Sequence, residues 1–232
     1  MKIRFSLSTA VLSALVFTAC NQETIAPAAA PQPTKVMVEA DTSVRAELFE
    51  DPHSYSREES KVTHLNWEAA VDFENEVITA NAVWTLEEGH GDTVIFDVKN
   101  LQVNEVLVDG SRALFSIEGD DPLLGSALVV PAPGAQTISI LYTTSPEAEA
   151  LQWYPAELTQ GKRQPFLFTQ SQAILARTWV PCQDRPGVRF TYEATVKVPK
   201  EVLALMSASN PTQKNDEGIY EFSMPQPIPS YL

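Results

Sequence analysis

The chain has 232 residues, 44% of them hydrophobic, which is ordinary for a globular protein. That length accommodates one domain of about 180 residues together with a tail. Its 30 acidic residues outnumber 16 basic ones and leave a formal net charge of −14, which argues against nucleic-acid binding because phosphate recognition needs clustered lysine and arginine.

Residues 1–20 have the pattern of a signal peptide. A basic start precedes residues 5–17, a mostly apolar stretch that is too short for a stable membrane span. The small residues before Cys20 resemble the bacterial lipobox, in which the cysteine becomes the lipidated N-terminus. Phe17 departs from the leucine usual in that motif, and the alternative is an ordinary cleaved signal with an incidental cysteine.

A lipidated Cys20 implies that the protein is anchored in a membrane of the bacterial cell envelope, on its periplasmic side. Asn21 follows the cysteine, and by resemblance to sorting in Gram-negative bacteria it favours the outer membrane over the inner one. The only other cysteine, Cys182, then has no partner for a disulfide within the chain. Its apolar neighbourhood favours a small buried side chain over a nucleophile.

Residues 21–46 are rich in proline and alanine. Proline removes backbone donors and fixes φ, so this segment cannot form a regular helix or strand. We predict a disordered linker that tethers a globular domain, residues 47–232, to a lipid surface.

Most of that domain has the pattern of β-strands. Residues 65–73 and 78–86 alternate apolar and polar side chains, which is typical of half-buried antiparallel strands, and a short polar gap joins them as a hairpin. Asp109 and Gly110 predict a second hairpin turn. The pattern predicts an all-β domain. The predicted strands are 65–73, 78–86, 93–98, 104–108, 113–117, 127–130, 137–142, 190–198 and 219–224, and the short helical segments are 146–153 and 173–177.

The segment 165–192 is the densest mixture of apolar, aromatic and amide side chains in the chain. Gln170 and Gln172 are spaced to face the same way on an extended strand. Residues 182–187 predict a tight turn, because Asp and Gly suit turn geometry and Pro fixes φ.

The polar residues near this turn are interpreted as structural. Asp184, Arg185 and Pro186 would form a turn held by local hydrogen bonds. Arg177 and Arg189 would pair with acidic neighbours at the surface, where an ion pair contributes little.

Two elements of this segment carry a resemblance. Gln170-Ser171-Gln172-Ala173 fits the pattern Q-x-[QE]-A, and residues 181–186 fit P-C-x-D-x-P. Both resemble the zinc aminopeptidase family that includes aminopeptidase N and leukotriene hydrolase, and Gln172, where aminopeptidase N relatives usually have Glu, points to the leukotriene hydrolase branch. The resemblance runs from about Asp51 to Leu232 and covers the family's first domain, which is a saddle-shaped antiparallel β structure.

The resemblance also implies roles for the two glutamines. The position matched by Gln172 contacts the free amino group of the peptide substrate, and Gln170 lines the same pocket. A substrate ammonium needs acceptors, and an amide carbonyl is a neutral one, whereas a Glu would add charge assistance.

The family's catalytic machinery is absent from this sequence. Its zinc site is H-E-x-x-H on a helix, where two histidines grip the metal and the glutamate acts as general base. Neither that motif nor the family's G-x-M-E-N motif is present, and His53, His64 and His90 have no ligand spacing. The sequence therefore predicts no metal or other cofactor in this chain and zinc in the full-length family enzyme.

Two classes of function remain open. In the first, which the apolar end Tyr231-Leu232 favours, the chain is the N-terminal, substrate-docking part of a membrane-anchored zinc aminopeptidase whose catalytic domain follows Leu232. In the second, it is a stand-alone, non-catalytic β module that binds peptides or a partner at the cell surface. The first predicts exposed apolar surface and self-association of the isolated chain.

Overall fold

The computed structural model of the chain describes residues 52–232, so the predicted signal peptide, linker and lipidation site lie outside the described part. The described residues form twelve strands and two 3₁₀ turns, Ala156–Leu158 and Ala176–Thr178, which confirms the predicted all-β class. No helix within 52–232 is long and apolar enough to cross a bilayer. The strands are β1 (Val62–Asp72), β2 (Val77–Leu86), β3 (Thr93–Val98), β4 (Gln102–Val108), β5 (Ser111–Arg112), β6 (Ser116–Asp121), β7 (Gly125–Pro131), β8 (Thr137–Thr143), β9 (Leu151–Tyr154), β10 (Phe166–Thr169), β11 (Phe190–Lys197) and β12 (Ile219–Ile228).

The largest sheet has seven strands in the order β12-β11-β1-β2-β8-β4-β5. β1 and β2 form the predicted hairpin, with Leu65 opposite Trp84, and β4 and β5 form the second one through Asp109 and Gly110. One pair differs from the antiparallel prediction, because β1 and β11 run parallel, with Trp67 aligned with Ala194. The chain returns to β1 only after β2–β10, and a long connection of this kind permits a parallel pair where a tight hairpin does not.

The core lies between this sheet and a three-stranded sheet of order β3-β7-β6. Trp84 of β2 is fully buried. Its ring packs against Phe96 of β3, with ring centroids 6.0 Å apart, and edge-on against Phe190 of β11 at 4.8 Å. The indole N–H donates to the Pro181 carbonyl at 2.9 Å, so this large side chain is buried without an unpaired donor. Pro181 and the turn after it are thereby held against the centre of the large sheet.

The predicted strand 113–117 is only partly right, because β6 begins at Ser116 and residues 113–115 belong to no strand. The chain leaves the large sheet after β5 and joins the three-stranded sheet at β6, so the residues between them cross from one sheet to the other. Leu114 in this crossing is 88% exposed. Apolar side chains alone suggested a strand here, but the ladder partners lie in two different sheets.

The predicted helix 146–153 is wrong. Two successive turns occupy its first half: the Ala148 N–H donates to the Ser145 carbonyl at 3.1 Å, and the Leu151 N–H donates to the Ala148 carbonyl at 2.9 Å. Its second half is β9, which pairs with β10. An available partner strand therefore determined the conformation. The predicted helical segment 173–177 is nearly right, since it leads into the 3₁₀ turn Ala176–Thr178.

Candidate functional site

An apolar groove of about 710 Å³ opens beside the end of β10. Its floor comes from β1 and β11 of the large sheet, and its sides come from residues 166–172 and from the last residues of the described chain. Phe166 and Phe168 are 53% and 45% exposed. Side chains that line the groove include Leu65, Trp67, Phe73, Leu167, Trp179, Tyr192, Val196 and Leu203.

The two predicted site glutamines lie on the rim of this groove, but not on a strand. β10 ends at Thr169, which corrects the prediction of an extended strand through Gln172. The Gln170 N–H still donates to the Ala150 carbonyl at 2.9 Å, and then the Ser171 carbonyl accepts the Leu175 N–H at 2.9 Å. The chain therefore turns at Ser171, and we call residues 170–175 the glutamine loop.

The two glutamine side chains have different surroundings, although both are exposed. The side-chain oxygen Oε1 of Gln170 accepts the backbone N–H of Gln172 at 3.0 Å. Among residues 52–232, the side-chain amide of Gln172 has no hydrogen-bond partner, and it borders the groove. Gln172 thus offers a free acceptor at an apolar surface, whereas the acceptor of Gln170 is already engaged.

Ser171 and Trp179 belong to the same site, and the sequence analysis did not identify them. Ser171 is buried, and its Oγ accepts the indole N–H of Trp179 at 3.0 Å. The Trp179 ring meets Trp67 edge-on, at 5.4 Å between centroids, and the Trp67 indole N–H donates to the Tyr142 hydroxyl at 2.9 Å. Burial raises the pKa of Tyr142, so its hydroxyl stays protonated. The sequence carries no signal for this contact, because the burial of Ser171 and the approach of Trp179 depend on how the loop folds back.

A buried charged network lies behind the loop. Arg177 is 0% exposed, which corrects the prediction of a surface residue. Its Nε lies 3.1 Å from Asp184 Oδ2 and its Nη1 lies 3.8 Å from Asp97 Oδ1. Nη1 also donates to the Leu124 carbonyl at 2.8 Å, and Nη2 donates to the His53 carbonyl at 2.6 Å. One guanidinium thus joins two carboxylates and two distant backbone segments.

Asp97 belongs to this network although its neighbours along β3, from Val94 to Val98, are all apolar. Its Oδ2 accepts the Ser54 hydroxyl at 2.6 Å and the Asp184 N–H at 2.8 Å, and its Oδ1 accepts the Tyr55 N–H at 2.7 Å. Burial raises the pKa of Asp97, against the opposing effect of Arg177 and of the donated hydrogen bonds. A lone acid in a buried strand was the sequence signal for this network.

The turn after Pro181 has the predicted local hydrogen bonds and distant ones as well. Locally, the Arg185 N–H donates to the Gln183 carbonyl at 2.9 Å and the Val188 N–H donates to the Arg185 carbonyl at 3.2 Å. Asp184 Oδ1 accepts the Ser230 hydroxyl at 2.6 Å, and Arg185 Nη1 lies 2.8 Å from Glu58 Oε1. The buried Gln183 amide accepts the Val62 N–H at 3.1 Å. Ser230, Glu58 and Val62 are all distant from the turn in sequence, so these contacts connect the turn to the two ends of the described domain.

The remaining candidates have local roles. His64 Nδ1 and Thr191 Oγ1 are hydrogen-bonded at 2.7 Å, and both ring nitrogens of His90 lie on backbone carbonyl oxygens. Cys182 is a buried free thiol, as predicted, and burial raises its pKa well above the ordinary value. A thiol that is hard to ionise is a poor nucleophile.

A zinc site needs several His, Cys, Asp or Glu side chains in one place. Across 52–232, no group of three or more His, Cys, Asp or Glu side chains could hold a metal ion. These residues therefore do not fit the zinc that the family resemblance implies, and no catalytic step through zinc is assigned to them.

Comparison with known proteins places this geometry in context. The family model described as Peptidase M1 N-terminal domain matches residues 52–232. Leukotriene A-4 hydrolase of Xenopus laevis is 37% identical over 196 residues, covering 78% of this chain and 32% of that protein. Leucine aminopeptidase 2-1 of Scheffersomyces stipitis is 34% identical over 178 residues, covering 75% and 27%. The chain spans about a third or less of the length of these relatives.

Solved structures agree with the fold. Native leukotriene A4 hydrolase from Saccharomyces cerevisiae has a TM-score of 0.70 at 30% identity, covering 82% of this chain and 32% of that one. The M1 zinc metallopeptidase from Deinococcus radiodurans has a TM-score of 0.58 at 17% identity, covering 76% and 41%. The second likeness shows the fold alone.

Proposed function

Because the chain belongs to the Peptidase M1 N-terminal domain family, we propose that residues 52–232 are the substrate-docking domain of a membrane-anchored zinc aminopeptidase. The complete enzyme removes N-terminal residues from peptides. These residues supply one wall of its substrate cleft. The zinc site and the general base come from a catalytic domain outside the chain described here, which in the family follows the position of Leu232.

One observation carries this proposal: the side-chain amide of Gln172 is free and faces an apolar groove. A peptide's N-terminal ammonium must exchange its hydration for acceptors when it enters such a surface, and the Gln172 carbonyl is an acceptor at that place. The groove offers apolar contact for the neighbouring side chains of the peptide. The combination suits a ligand with a charged amino end and an apolar body.

The neutral amide also suggests a moderate strength of binding. A carboxylate at position 172 would add charge assistance to the same hydrogen bond. A glutamine contributes direction with less attraction, so the amino group is aligned without being held strongly. This property suits a site whose product, a free amino acid, carries the same ammonium group and must leave.

The relatives support an enzyme larger than these 232 residues. Those named leukotriene A-4 hydrolase and leucine aminopeptidase are about three times as long. The exposed Phe166 and Phe168 at the rim of the groove give a following domain an apolar surface to cover. The proposed cleft lies between that domain and the groove.

We propose further that Cys20 is lipidated and holds the protein on the periplasmic side of a membrane, with the outer membrane favoured by Asn21. The sequence pattern of residues 1–20 supports this proposal. Replacing Cys20→Ser should release the protein from the membrane fraction into the soluble periplasmic fraction. Retention of the variant in the membrane fraction would contradict lipid anchoring at this residue.

The size of the native product in its host tests the enzyme proposal. An immunoblot with an antibody raised against residues 52–232 should show a band far above 25.5 kDa, the mass of this chain. Zinc and aminopeptidase activity should be found with that band in the membrane fraction. A band near 25 kDa without aminopeptidase activity would overturn the proposal and favour a stand-alone module that binds peptides through the groove.

A further inference from the structure

The glutamine loop has little regular structure to hold it. It follows the last residue of a four-residue strand in a two-stranded sheet. Its backbone hydrogen bonds are the Gln170 N–H to the Ala150 carbonyl, the Leu175 N–H to the Ser171 carbonyl and, at its end, the Thr178 N–H to the Leu175 carbonyl. The orientation of Gln172 therefore depends on side chains that anchor the residues before it.

Gln170 provides the first anchor. Its side-chain carbonyl oxygen accepts the Gln172 N–H at 3.0 Å, a side chain-to-backbone bond across two residues of the type that stabilises turns. The other end of the Gln170 amide is an NH₂ donor, which a substrate ammonium cannot use. This geometry gives Gln170 a function different from that of Gln172.

Trp179 provides the second anchor. Its indole N–H donates to the hydroxyl oxygen of Ser171, the residue between the two glutamines. The Trp179 ring in turn packs edge-on against Trp67 of β1. The loop is thereby connected to the buried face of the large sheet through one hydrogen bond and one aromatic contact.

We propose that Gln170 and Trp179 are positioning residues that hold Gln172 in the orientation that receives a peptide's amino group. Gln170 fixes the backbone of Gln172, and Trp179 fixes Ser171. Neither residue has to contact the substrate amine. This inference rests on the proposed function only for what Gln172 binds, whereas the anchoring itself is a property of the loop.

Amide hydrogen exchange in the full protein tests the anchoring without any ligand. Gln170→Ala and Trp179→Phe should each speed exchange of the Gln172 and Leu175 amides by roughly tenfold, since each removes one hydrogen bond. Gln170→Glu keeps the acceptor and should leave exchange close to that of the unmodified protein.

Trp153 provides the matched control for Trp179, because its indole N–H has no hydrogen-bond partner within the described part of the chain. Trp153→Phe should leave exchange in the loop unchanged. Unchanged exchange at Gln172 and Leu175 in both Gln170→Ala and Trp179→Phe would overturn the anchoring.

Binding of tri-alanine with a free amino end tests the link to Gln172. Gln170→Ala and Trp179→Phe should each weaken binding several-fold, and neither should weaken it further in a protein that already carries Gln172→Ala. Additive losses would overturn the positioning role, because they would show effects that do not pass through Gln172. A third outcome separates the two proposals. If exchange is faster in Gln170→Ala and Trp179→Phe but Gln172→Ala binds tri-alanine as tightly as the unmodified protein, the proposed function is overturned and the anchoring stays intact.

Discussion

The glutamine loop and two members of the Arg177 network, Arg177 and Asp184, come from one short segment of the chain, but their polar groups have opposite surroundings. In the network, the carboxylates of Asp97 and Asp184 and the guanidinium of Arg177 are fully buried and joined by short hydrogen bonds. In the loop, the side-chain amide of Gln172 is exposed and has no hydrogen-bond partner among residues 52–232.

This difference separates residues that maintain the fold from residues available to a ligand. A buried polar group without a partner destabilises a protein, so the satisfied network contributes to structure. An exposed side-chain amide at the rim of an apolar groove does not destabilise the fold, because water satisfies its hydrogen bonds. It exchanges water for a protein or peptide partner only when a ligand binds. The segment from Gln172 to Asp184 therefore contributes to the stability of the domain at one end and presents a binding group at the other.

The sharpest test of the network removes its only cation. Arg177→Met keeps an apolar stem of similar length but leaves two buried carboxylates without a paired cation, and we expect the free energy of unfolding to fall by about 3–5 kcal/mol. Urea denaturation measures the change. Arg112→Ala, which breaks an exposed pair with Glu105, serves as the control and should cost less than about 1 kcal/mol. Equal losses for the two variants would contradict the distinction between network and surface.

Ser230→Ala tests the connection between the turn and the C-terminal residues. The Ser230 hydroxyl donates to Asp184 Oδ1 at 2.6 Å, and its loss leaves a buried carboxylate oxygen without that donor. We expect a loss of about 1–3 kcal/mol. Ser207→Ala, at an exposed serine, should change the free energy of unfolding by less than about 0.5 kcal/mol. Thermal unfolding of both variants gives the comparison, and a Ser230 effect no larger than that of Ser207 would contradict the assigned contact.

The pH dependence of stability tests the state of Asp97. Burial raises the pKa of Asp97 above its ordinary 3.8, against the effect of Arg177, so the folded protein binds this proton more tightly than the unfolded chain does. The resulting stability is complete below the unfolded pKa and is lost as the pH rises through the folded pKa. The stability of the unmodified protein relative to Asp97→Asn should therefore fall with rising pH, by at most about 1.4 kcal/mol per pH unit. A relative stability that rises with pH between the unfolded and the folded pKa of Asp97 would contradict a raised pKa for this residue.

Much of the fold was predictable because a half-buried strand alternates apolar and polar residues in the sequence. β1, β2, β8 and β11 were predicted within a few residues, since alternation is a local property. The crossing at Leu114 and the turns before β9 were missed because they depend on which strand is available as a partner.

The site was predictable only in part. The motif indicated Gln170 and Gln172, and both lie beside the groove. The burial of Arg177 was missed because its partners Asp97 and His53 come from distant parts of the chain. The Ser171–Trp179 hydrogen bond was missed because it depends on how the loop folds back.

The exposed rim should affect association more than stability. Phe168→Ser removes an aromatic side chain that is 45% exposed beside the groove, and we expect it to reduce concentration-dependent self-association of residues 52–232 in gel filtration. Its free energy of unfolding should change by less than about 1 kcal/mol. Leu114→Ser removes a side chain that is 88% exposed and does not line the groove, and it should leave association unchanged. Equal effects of the two variants would contradict a specific apolar rim.

The most direct test of the central claim is whether the 232-residue protein binds a peptide with a free amino end more tightly than one whose amino end is blocked. The dissociation constants of tri-alanine and N-acetyl-tri-alanine should be measured for the unmodified protein, Gln172→Ala and Gln172→Glu. We expect the preference for the free amine to fall by roughly tenfold in Gln172→Ala and to increase in Gln172→Glu, because the acceptor is lost in one and charged in the other. A preference that is the same in all three proteins would contradict the assignment of Gln172 as the group that receives the amine.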